Sequence, residues 1–445
     1  MASRDLNWDK LMFLMNINSF YLTDTKQSVP LQTVCIAMAS AKNTFLSLLI
    51  LSLCTFDFVS RVKCQQPPPL SAANICATTL YPKFCRSTLL PYNRTSTVAG
   101  YGRISLRQSL SHARKFHKLV SEFRKRAPSS FPSSVGPLDD CVFLAQENVD
   151  SLQFVLESVE FSDHLQIMLA GDVQALLSST LTNIDTCLDG IKGSAASTDL
   201  ADPVANATKL CSVSLNLFDK GWLRHGKRRA TRVLRERKHT FSELSNGVAD
   251  GLPLRMNPWD ERRFQSLTKG RILQEAPNST VDVASFVVVD QLGRGNFTTI
   301  NDAVSSAPNS SFFGTEGSFF LIFVAEGIYE EYVTIPRNKK YIMMVGEGIN
   351  KTIITGNKSV IDGFTTFNSS TFAVVGQGFV GVNMTIRNTA GAIKHQAVAL
   401  RNSADMSSFY SCSFEGYQDT LYTHTLRQFY RDCEVSGTVD FIFGN

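Results

Sequence analysis

The hydrophobic positions of the chain follow two periods, and the change between them divides the sequence. In the first half, apolar residues recur every three or four positions in four segments, at residues 104–123, 138–159, 165–181 and 204–218. This spacing predicts amphipathic helices, with breaks at Pro128, Pro132, Gly190 and Pro203. Four such helices with short connections predict an antiparallel four-helix bundle.

From residue 281 the pattern changes to short strands that end at Gly, Asn or Asp: SFVVVD (285–290), FFLIFVAEG (319–327), YIMMVGEG (341–348) and FVGVNMTIRN (379–388). FTTINDAV (297–304) is apolar at helical spacing and predicts a short helix over an open sheet edge. The predicted core includes Ile322, Val324, Val382 and Met384, and Cys412 is predicted as a small inward hydrophobic residue.

Polar residues recur in the last fifty positions at nearly one interval. Gln396 is followed 22 residues later by Gln418, which precedes Asp419, and Asp440 comes 21 residues after Asp419. The amino-acid sequence around these positions also repeats: SSFYSCSFEG (407–416) is followed by RQFYRDCEVSG (427–437). A period near 21 residues built of short strands predicts a solenoid of stacked coils, and a parallel β-helix fits best.

This register places Asp419 and Asp440 on neighbouring coils, about 4.8 Å apart in the strand-stacking direction. Two carboxylates this close do not both ionise freely, which predicts a proton donor beside a nucleophile or base. The separation also suits a retaining glycosidase. Gln396 and Gln418 favour an ester substrate instead, because their amides can donate to a developing oxyanion. The non-functional alternative is a polar ladder along one solenoid face.

Composition and targeting signals indicate a secreted protein. The 445 residues, with 43% hydrophobic content and a net charge of +5, suit two globular domains. We interpret residues 1–37 as a leader extension and 38–66 as a signal peptide with its flank, because an apolar run follows Lys42. Asp57 leaves that run too short for a stable membrane span. Nine N-x-S/T sequons and ten cysteines suit secretion.

Cysteine spacing favours two disulfides in the helical region. Four cysteines allow three pairings, and the short spacing of Cys76 and Cys85 favours a bridge between them, leaving Cys141 for Cys187. Residues 220–274 are predicted to be a connector. Its basic run, RHGKRRATRVLRERKH (224–239), indicates a solvated linker and no nucleic-acid site, because no aromatic residues for base stacking are interleaved.

Seven segments in order resemble the signature motifs of plant pectinesterases: GNFTTINDAV (295–304), GIYEE (327–331), DGFTTFNSSTF (362–372), QAVALR (396–401), GYQDTLY (416–422), LRQFYRDC (426–433) and GTVDFIFGN (437–445). The helical region at residues 70–219 resembles the pectinesterase-inhibitor family through its Cys76–Cys85 hairpin and DVQALLSSTLTNIDTCLDG (172–190). The resemblance implies an inhibitor-like bundle followed by an incomplete right-handed parallel β-helix at residues 281–445.

The resemblance also implies roles for individual residues. Asp440 would attack a galacturonate methyl ester, Asp419 would act as acid and then base, and Gln418 and Gln396 would hold the oxyanion. Thr366 and Gln396 would contact the sugar, and the ring of Tyr422 would offer it a surface. The implied substrate is pectin, as methylesterified homogalacturonan, in the cell wall or apoplast, with no metal or organic cofactor.

Three further expectations follow from the resemblance. The bundle would be a pro-region that either blocks the enzyme or guides its export, and GRILQ (270–274) resembles a processing site. The family pattern continues past DFIFGN with an LGRPW motif, so we expect the 445 residues alone to have little activity. Two alternatives remain: a β-helix polysaccharide hydrolase or lyase, or an inhibitor or targeting module beside a non-catalytic β-helix.

Overall fold

A computed structural model describes residues 70–89, 96–127, 132–192, 196–223, 254–255, 258–268, 281–309 and 318–445. These residues all belong to one compact unit. The predicted leader, signal peptide, basic run and GRILQ segment lie outside the described residues. Among the described residues, no helix is both long and apolar enough to cross a lipid bilayer.

Four long helices form the predicted bundle, preceded by two short ones. Their bounds are α1 Ala72–Cys76, α2 Pro82–Leu89, α3 Val98–Arg126, α4 Pro132–Val159, α5 Ile167–Ile191 and α6 Ala196–Phe218. Disulfides join Cys76 to Cys85 and Cys141 to Cys187. The second disulfide ties α4 to α5 inside the bundle core.

Two of the predicted helix breaks are wrong. Pro203 lies inside α6, and Gly190 lies within the last turn of α5. Proline removes one backbone hydrogen bond, but Leu200 and Val204 on either side of Pro203 are buried in the bundle. Their packing outweighs the local preference, since tertiary contacts supply most of the stability of helices in proteins. Pro132, by contrast, is the first residue of α4, where proline is well tolerated.

The second half is a parallel β-helix of three sheets. Sheet I has the order β1-β2-β3-β6-β9-β12-β15, sheet II β16-β13-β10-β7-β4, and sheet III β17-β14-β11-β8-β5. The strands of sheet I are β1 Leu254–Arg255, β2 Val281–Val289, β3 Ser318–Val324, β6 Ile342–Gly346, β9 Val380–Val382, β12 Ser407–Tyr410 and β15 Gln428–Arg431. All described pairings within the sheets are parallel.

The strands of the other two sheets are short and are joined in pairs by turns. Sheet II contains β4 Gly327–Tyr329, β7 Thr352–Gly356, β10 Thr385–Asn388, β13 Ser413–Glu415 and β16 Glu434–Ser436. Sheet III contains β5 Val333–Ile335, β8 Phe372–Val374, β11 Leu400–Asn402, β14 Leu421–Thr423 and β17 Ile442–Gly444. We call the five connections from a sheet II strand to the next sheet III strand the II–III turns.

The interior of the coils is filled by stacked apolar side chains. The residues predicted to be core, Ile322, Val324, Val382, Met384 and Cys412, are all buried. The Phe409 ring stacks on that of Tyr430 in the next coil, with centroids 5.4 Å apart. The predicted N-terminal helix, α8 Ile300–Ser306, packs against this core. A further helix, α7 Pro258–Thr268, packs Phe264 on the outside of sheet I.

The helical bundle lies against sheet III, mainly through α4 and α5. Three ion pairs cross the contact: Arg337 with Glu147 at 2.6 Å and with Asp150 at 3.8 Å, and Asp172 with Arg427 at 2.7 Å. Thr186 shares a hydrogen bond of 3.1 Å with the His424 ring. Phe367 and Tyr422 of the β-helix pack into one hydrophobic cluster with bundle residues. The bundle thus covers the sheet that follows the predicted catalytic turns.

Candidate active site

The predicted catalytic residues lie in one column formed by consecutive II–III turns. Gln396 and Gln418 form a parallel bridge, and the Asp419 amide donates to the Val439 carbonyl at 3.1 Å. Leu421 and Ile442, two residues after Asp419 and Asp440, are register partners in β14 and β17. The two carboxylates therefore belong to equivalent positions of adjacent coils, as the 21-residue interval predicts.

Both aspartates have an unusual backbone conformation. Asp419 has φ of 65° and Asp440 has φ of 47°, in the left-handed region that residues with a Cβ seldom occupy. Aspartate tolerates it better than most residues because its short carboxylate can bond locally. At this position on each of the two coils, the backbone turns sharply just before the strand of sheet III. It is the kind of local strain that clusters at functional sites.

Asp419 is the buried member of the pair. The residue is 7% exposed, and this burial, with the charge of Asp440 as a second cause, raises the pKa of Asp419 to about 6. Asp440 is exposed. Burial thus favours the protonated form of Asp419 up to about pH 6. A buried carboxyl with a raised pKa beside a second carboxyl is an arrangement that suits an acid next to a nucleophile.

The two glutamine side chains are available to a ligand. Gln396 and Gln418 are half-buried, and the Gln418 carbonyl accepts a backbone hydrogen bond from Ala397 at 3.1 Å. Within the described ranges, no hydrogen bond of either side-chain amide is present, so both can donate to an oxygen beside the carboxylates. The arrangement suits stabilisation of an oxyanion.

A cleft of about 760 Å³ opens beside Asp419 and contains Thr366 and Tyr422. Gln396, Gln418 and Asp440 are not among its lining residues. The ring of Tyr422 stacks on that of Phe443 in the next coil, with centroids 4.2 Å apart. One face of the predicted sugar platform is therefore already covered by Phe443.

The opposite wall of this cleft is the helical bundle. α4 contributes Asp140, and α5 contributes Thr182, Asp185, Thr186 and Asp189. Asp140 accepts hydrogen bonds from Thr365 and Asn368, which both lie in the DGFTTFNSSTF segment (362–372). The cleft that contains Asp419 is therefore bounded on one side by the β-helix and on the other by the bundle. The acidic side chains of the bundle face the groove that an acidic polymer would need.

Sequence reasoning missed the buried charges under the bundle. Arg401, the last residue of QAVALR, is buried, and its guanidinium lies 3.6 Å from the centroid of the Phe367 ring. Burial lowers the pKa of Arg401 to about 10. Its register partner in the next coil is Tyr422. The one feature of the sequence that could have indicated this buried charge is a basic residue within a short strand of alternating pattern.

His424 is the second buried residue that was missed. Its ring nitrogens contact Ser403 at 3.0 Å and Thr186 at 3.1 Å, which are neutral partners on either side. Burial, with the nearby charge of Arg401, lowers the pKa of His424 to about 3. The ring is thus neutral at ordinary pH and joins the bundle to β14. Nothing in the sequence near His424 indicates a partner 238 residues earlier.

Docking of the bundle is predicted to depend on pH through Asp140. Burial raises the pKa of Asp140 to about 6, outweighing its hydrogen bonds and the charge of Arg401. A raised carboxyl pKa means that the folded state binds the proton more tightly. The stabilisation that protonated Asp140 gives to the folded state is therefore complete below the unfolded pKa near 3.9 and is lost as the pH rises towards 6.

An Asp140→Asn variant, which stays neutral at every pH, is expected to match the unmodified chain at pH 4. At pH 7 it should be more stable by about 2–3 kcal/mol. Thermal unfolding of both proteins measures the difference. His424 has the opposite pH dependence over this range, but it is present in both proteins and cancels in the comparison. A stability difference that stays constant from pH 4 to pH 7 would contradict the assignment.

Two family models match the chain. The model described as Pectinesterase matches residues 286–445, and the model described as Plant invertase/pectin methylesterase inhibitor matches residues 71–217. Together they span the β-helix and the bundle. A solved structure, "Pectin methylesterase from Carrot", is 49% identical with a TM-score of 0.35 and covers 38% of this chain and 50% of its own.

Curated relatives match both regions in one alignment. "Probable pectinesterase/pectinesterase inhibitor 41" of Arabidopsis thaliana is 48% identical over 395 residues, which is 85% of this chain and 68% of the relative. "Probable pectinesterase/pectinesterase inhibitor 20" of the same plant is 48% identical over 378 residues, 84% of this chain and 66% of the relative. The chain spans about two thirds of the length of these relatives. With both regions in the same order, the chain belongs to the pectinesterase/pectinesterase inhibitor family.

Proposed function

We propose that the β-helix is the catalytic part of a pectinesterase, which hydrolyses galacturonate methyl esters in pectin to carboxylate and methanol. The observation that carries this is the stacked pair of Asp419 and Asp440 with the amides of Gln396 and Gln418 beside it. Family membership supplies the substrate class. The amides favour an ester over a glycosidic bond, because attack on a carbonyl creates an oxyanion that needs donors.

The reaction proceeds through an acyl-enzyme. A carboxylate oxygen of Asp440 attacks the ester carbonyl carbon, and Gln396 and Gln418 donate to the resulting oxyanion. The bond to the methoxy oxygen breaks as protonated Asp419 gives its proton to the departing methanol. Asp419, now a carboxylate, takes a proton from water, which attacks the acyl carbon and releases Asp440. Because the pKa of Asp419 is raised to about 6, the protonated form needed for the first step predominates below about pH 6.

The bundle acts as a cover for this site. It fills the wall of the cleft opposite Asp419, and Thr186 lies against the Tyr422 and His424 side of the groove. Of the two roles that the resemblance implies, blockage of the enzyme is the one that these contacts support. Removal of the bundle is then required before a polymer reaches Asp419. The predicted signal peptide at residues 38–66 supports secretion to the cell wall, where pectin is available.

The test of the proposed function is product analysis on methylesterified pectin. Methanol and polymer length are measured for the 445-residue chain and for a chimera that continues past Asn445 with the C-terminal region of the Arabidopsis relative 41. The chimera carries Asp140→Arg, which we expect to detach the bundle, and is cut at a protease site placed between residues 224 and 253; it should then release methanol at unchanged polymer length. A shortened polymer would indicate a hydrolase or lyase instead, and no methanol from the opened chimera would reject the esterase.

A further inference from the structure

One lysine of the II–III turns has a charge that no acid balances. Lys358 lies in the β7–β8 turn, half-buried, with its ammonium nitrogen 3.8 Å from the centroid of the Tyr332 ring and 4.9 Å from that of Phe364. Within the part of the chain that the structure describes, no ion pair of Lys358 is present. Desolvation lowers the pKa of Lys358. Ring faces attract a cation, but they leave its charge in place.

The other charges of this turn are already paired. Asp362 forms an ion pair with Lys394 of the next II–III turn and accepts a hydrogen bond from Ser359 at 2.7 Å. This pairing, led by the hydrogen bond from Lys394, lowers the pKa of Asp362. Lys394 and Asp362 therefore cancel, and Lys358 remains as the excess positive charge. An isolated cation of this kind is suited to a carboxylate brought by a ligand.

The backbone fixes Lys358 next to the catalytic column. The Asn388 side chain donates to the Lys358 carbonyl at 3.0 Å, and the Val360 amide donates to the Gln396 carbonyl at 3.0 Å. The turn with Lys358 is therefore stacked directly on the turn with Gln396, which is stacked on the turn with Asp419. Two coil steps separate Lys358 from Asp419 along the axis, or roughly 10 Å at the usual strand spacing.

The surface around Lys358 is apolar and remains open beside the docked bundle. Ile361 is 58% exposed, Phe364 37% and Ile393 86%. The residues of this turn that donate hydrogen bonds to Asp140 of the bundle are Thr365 and Asn368, further along the chain. An apolar surface with one cation suits a sugar ring that carries a carboxylate, because the ring face packs on apolar groups and the charge pairs with the ammonium.

We propose that Lys358 is a specificity-determining residue that binds the free carboxylate of a galacturonate already de-esterified, a few sugar units from the ester under attack. This rests on the proposed function, because it requires the polymer to lie along the II–III turns. A methyl ester has no charge and gains nothing from Lys358. The residue therefore favours partly de-esterified pectin over fully esterified pectin.

Binding of polygalacturonate without methyl esters tests this on the 445-residue chain. Mass spectrometry first verifies that Asn357, part of an N-K-S sequon, carries no glycan. Isothermal titration then compares the unmodified chain with Lys358→Met, Lys358→Arg and Lys351→Met. Lys351 is exposed on the same coil, outside the II–III turns. Lys358→Met should bind roughly tenfold more weakly at low salt, with a difference that shrinks as salt screens the charge. Lys358→Arg and Lys351→Met should bind like the unmodified chain.

Several results would overturn the proposal. They are no binding by the unmodified chain, equal binding by Lys358→Met, or an equal loss in Lys351→Met. A lower melting temperature of Lys358→Met with unchanged affinity would likewise reject it, because Lys358 would then serve only to hold Tyr332 and Phe364. The polymer contains no ester, so the result is independent of catalysis. If binding depends on Lys358 but the opened chimera releases no methanol, the proposed function alone fails.

Discussion

An Asp440→Asn variant of the opened chimera is expected to release methanol on the order of a thousandfold more slowly than its parent, or worse, because an amide cannot serve as the nucleophile. Asp419→Asn should cause a comparable loss by removing the proton that methanol needs. Initial rates of methanol release measure both effects. Neither substitution should disturb the fold, since asparagine accepts the same left-handed backbone.

The chain offers a matched control for these substitutions. Asp432 lies in the same coil as Asp440 and also has a positive φ, of 51°, but it is in the turn between sheets I and II. Asp432→Asn should retain nearly full activity. If Asp440→Asn kept its rate within tenfold of the parent, or if Asp432→Asn lost as much, the assigned nucleophile would be wrong.

Reversal of the charge at Asp140 is expected to detach the bundle from the β-helix. In Asp140→Arg a second cation would be buried beside Arg401, and an uncompensated buried charge costs several kcal/mol. The protease site between residues 224 and 253 is cut, and the products are separated by gel filtration. The two parts of the unmodified chain should elute together, and those of Asp140→Arg should elute apart.

Asp139→Arg is the control for this experiment. Asp139 is adjacent in sequence, but it pairs with Arg124 within the bundle and is exposed. The same change of charge there should leave the two parts together. Circular dichroism and a thiol assay verify that the helices and both disulfides persist in each variant. Coelution of the cut Asp140→Arg protein would mean that Arg401 and Asp140 do not control docking.

The stacking of the candidate catalytic residues could be predicted from the sequence because, in a solenoid, the number of residues between two positions determines which coils they occupy. Once the strands are short and the coils stack, residues 21 positions apart must lie on neighbouring coils. Asp419 and Asp440 could therefore be placed together without any knowledge of the distant parts of the chain. The same reasoning located the apolar stacks, since inward positions alternate with outward ones along each strand.

The contact between the bundle and sheet III could not be predicted in this way. Thr186 meets His424, and Asp140 meets Thr365, through docking of two separately patterned regions. The hydrophobic period of each region does not determine which of its surfaces contacts the other region. The covered face of Tyr422 was missed for a related reason, because Phe443 stacks on it only once the coils have closed. Pro203 shows the converse, since packing of its neighbours overrides a local breaker.

The order of the II–III turns gives the surface a direction. Lys358 lies towards the first coils and Asp440 towards the last, so any carboxylate held by Lys358 lies on one fixed side of the ester being cleaved. A galacturonan has two chemically different ends and fits such a surface best in one orientation. Each newly formed carboxylate then binds Lys358 in the proposed way and positions the polymer for the next cleavage on the same side. Free carboxylates should accumulate as contiguous blocks that lengthen one way along the polysaccharide, in contrast to a random scatter.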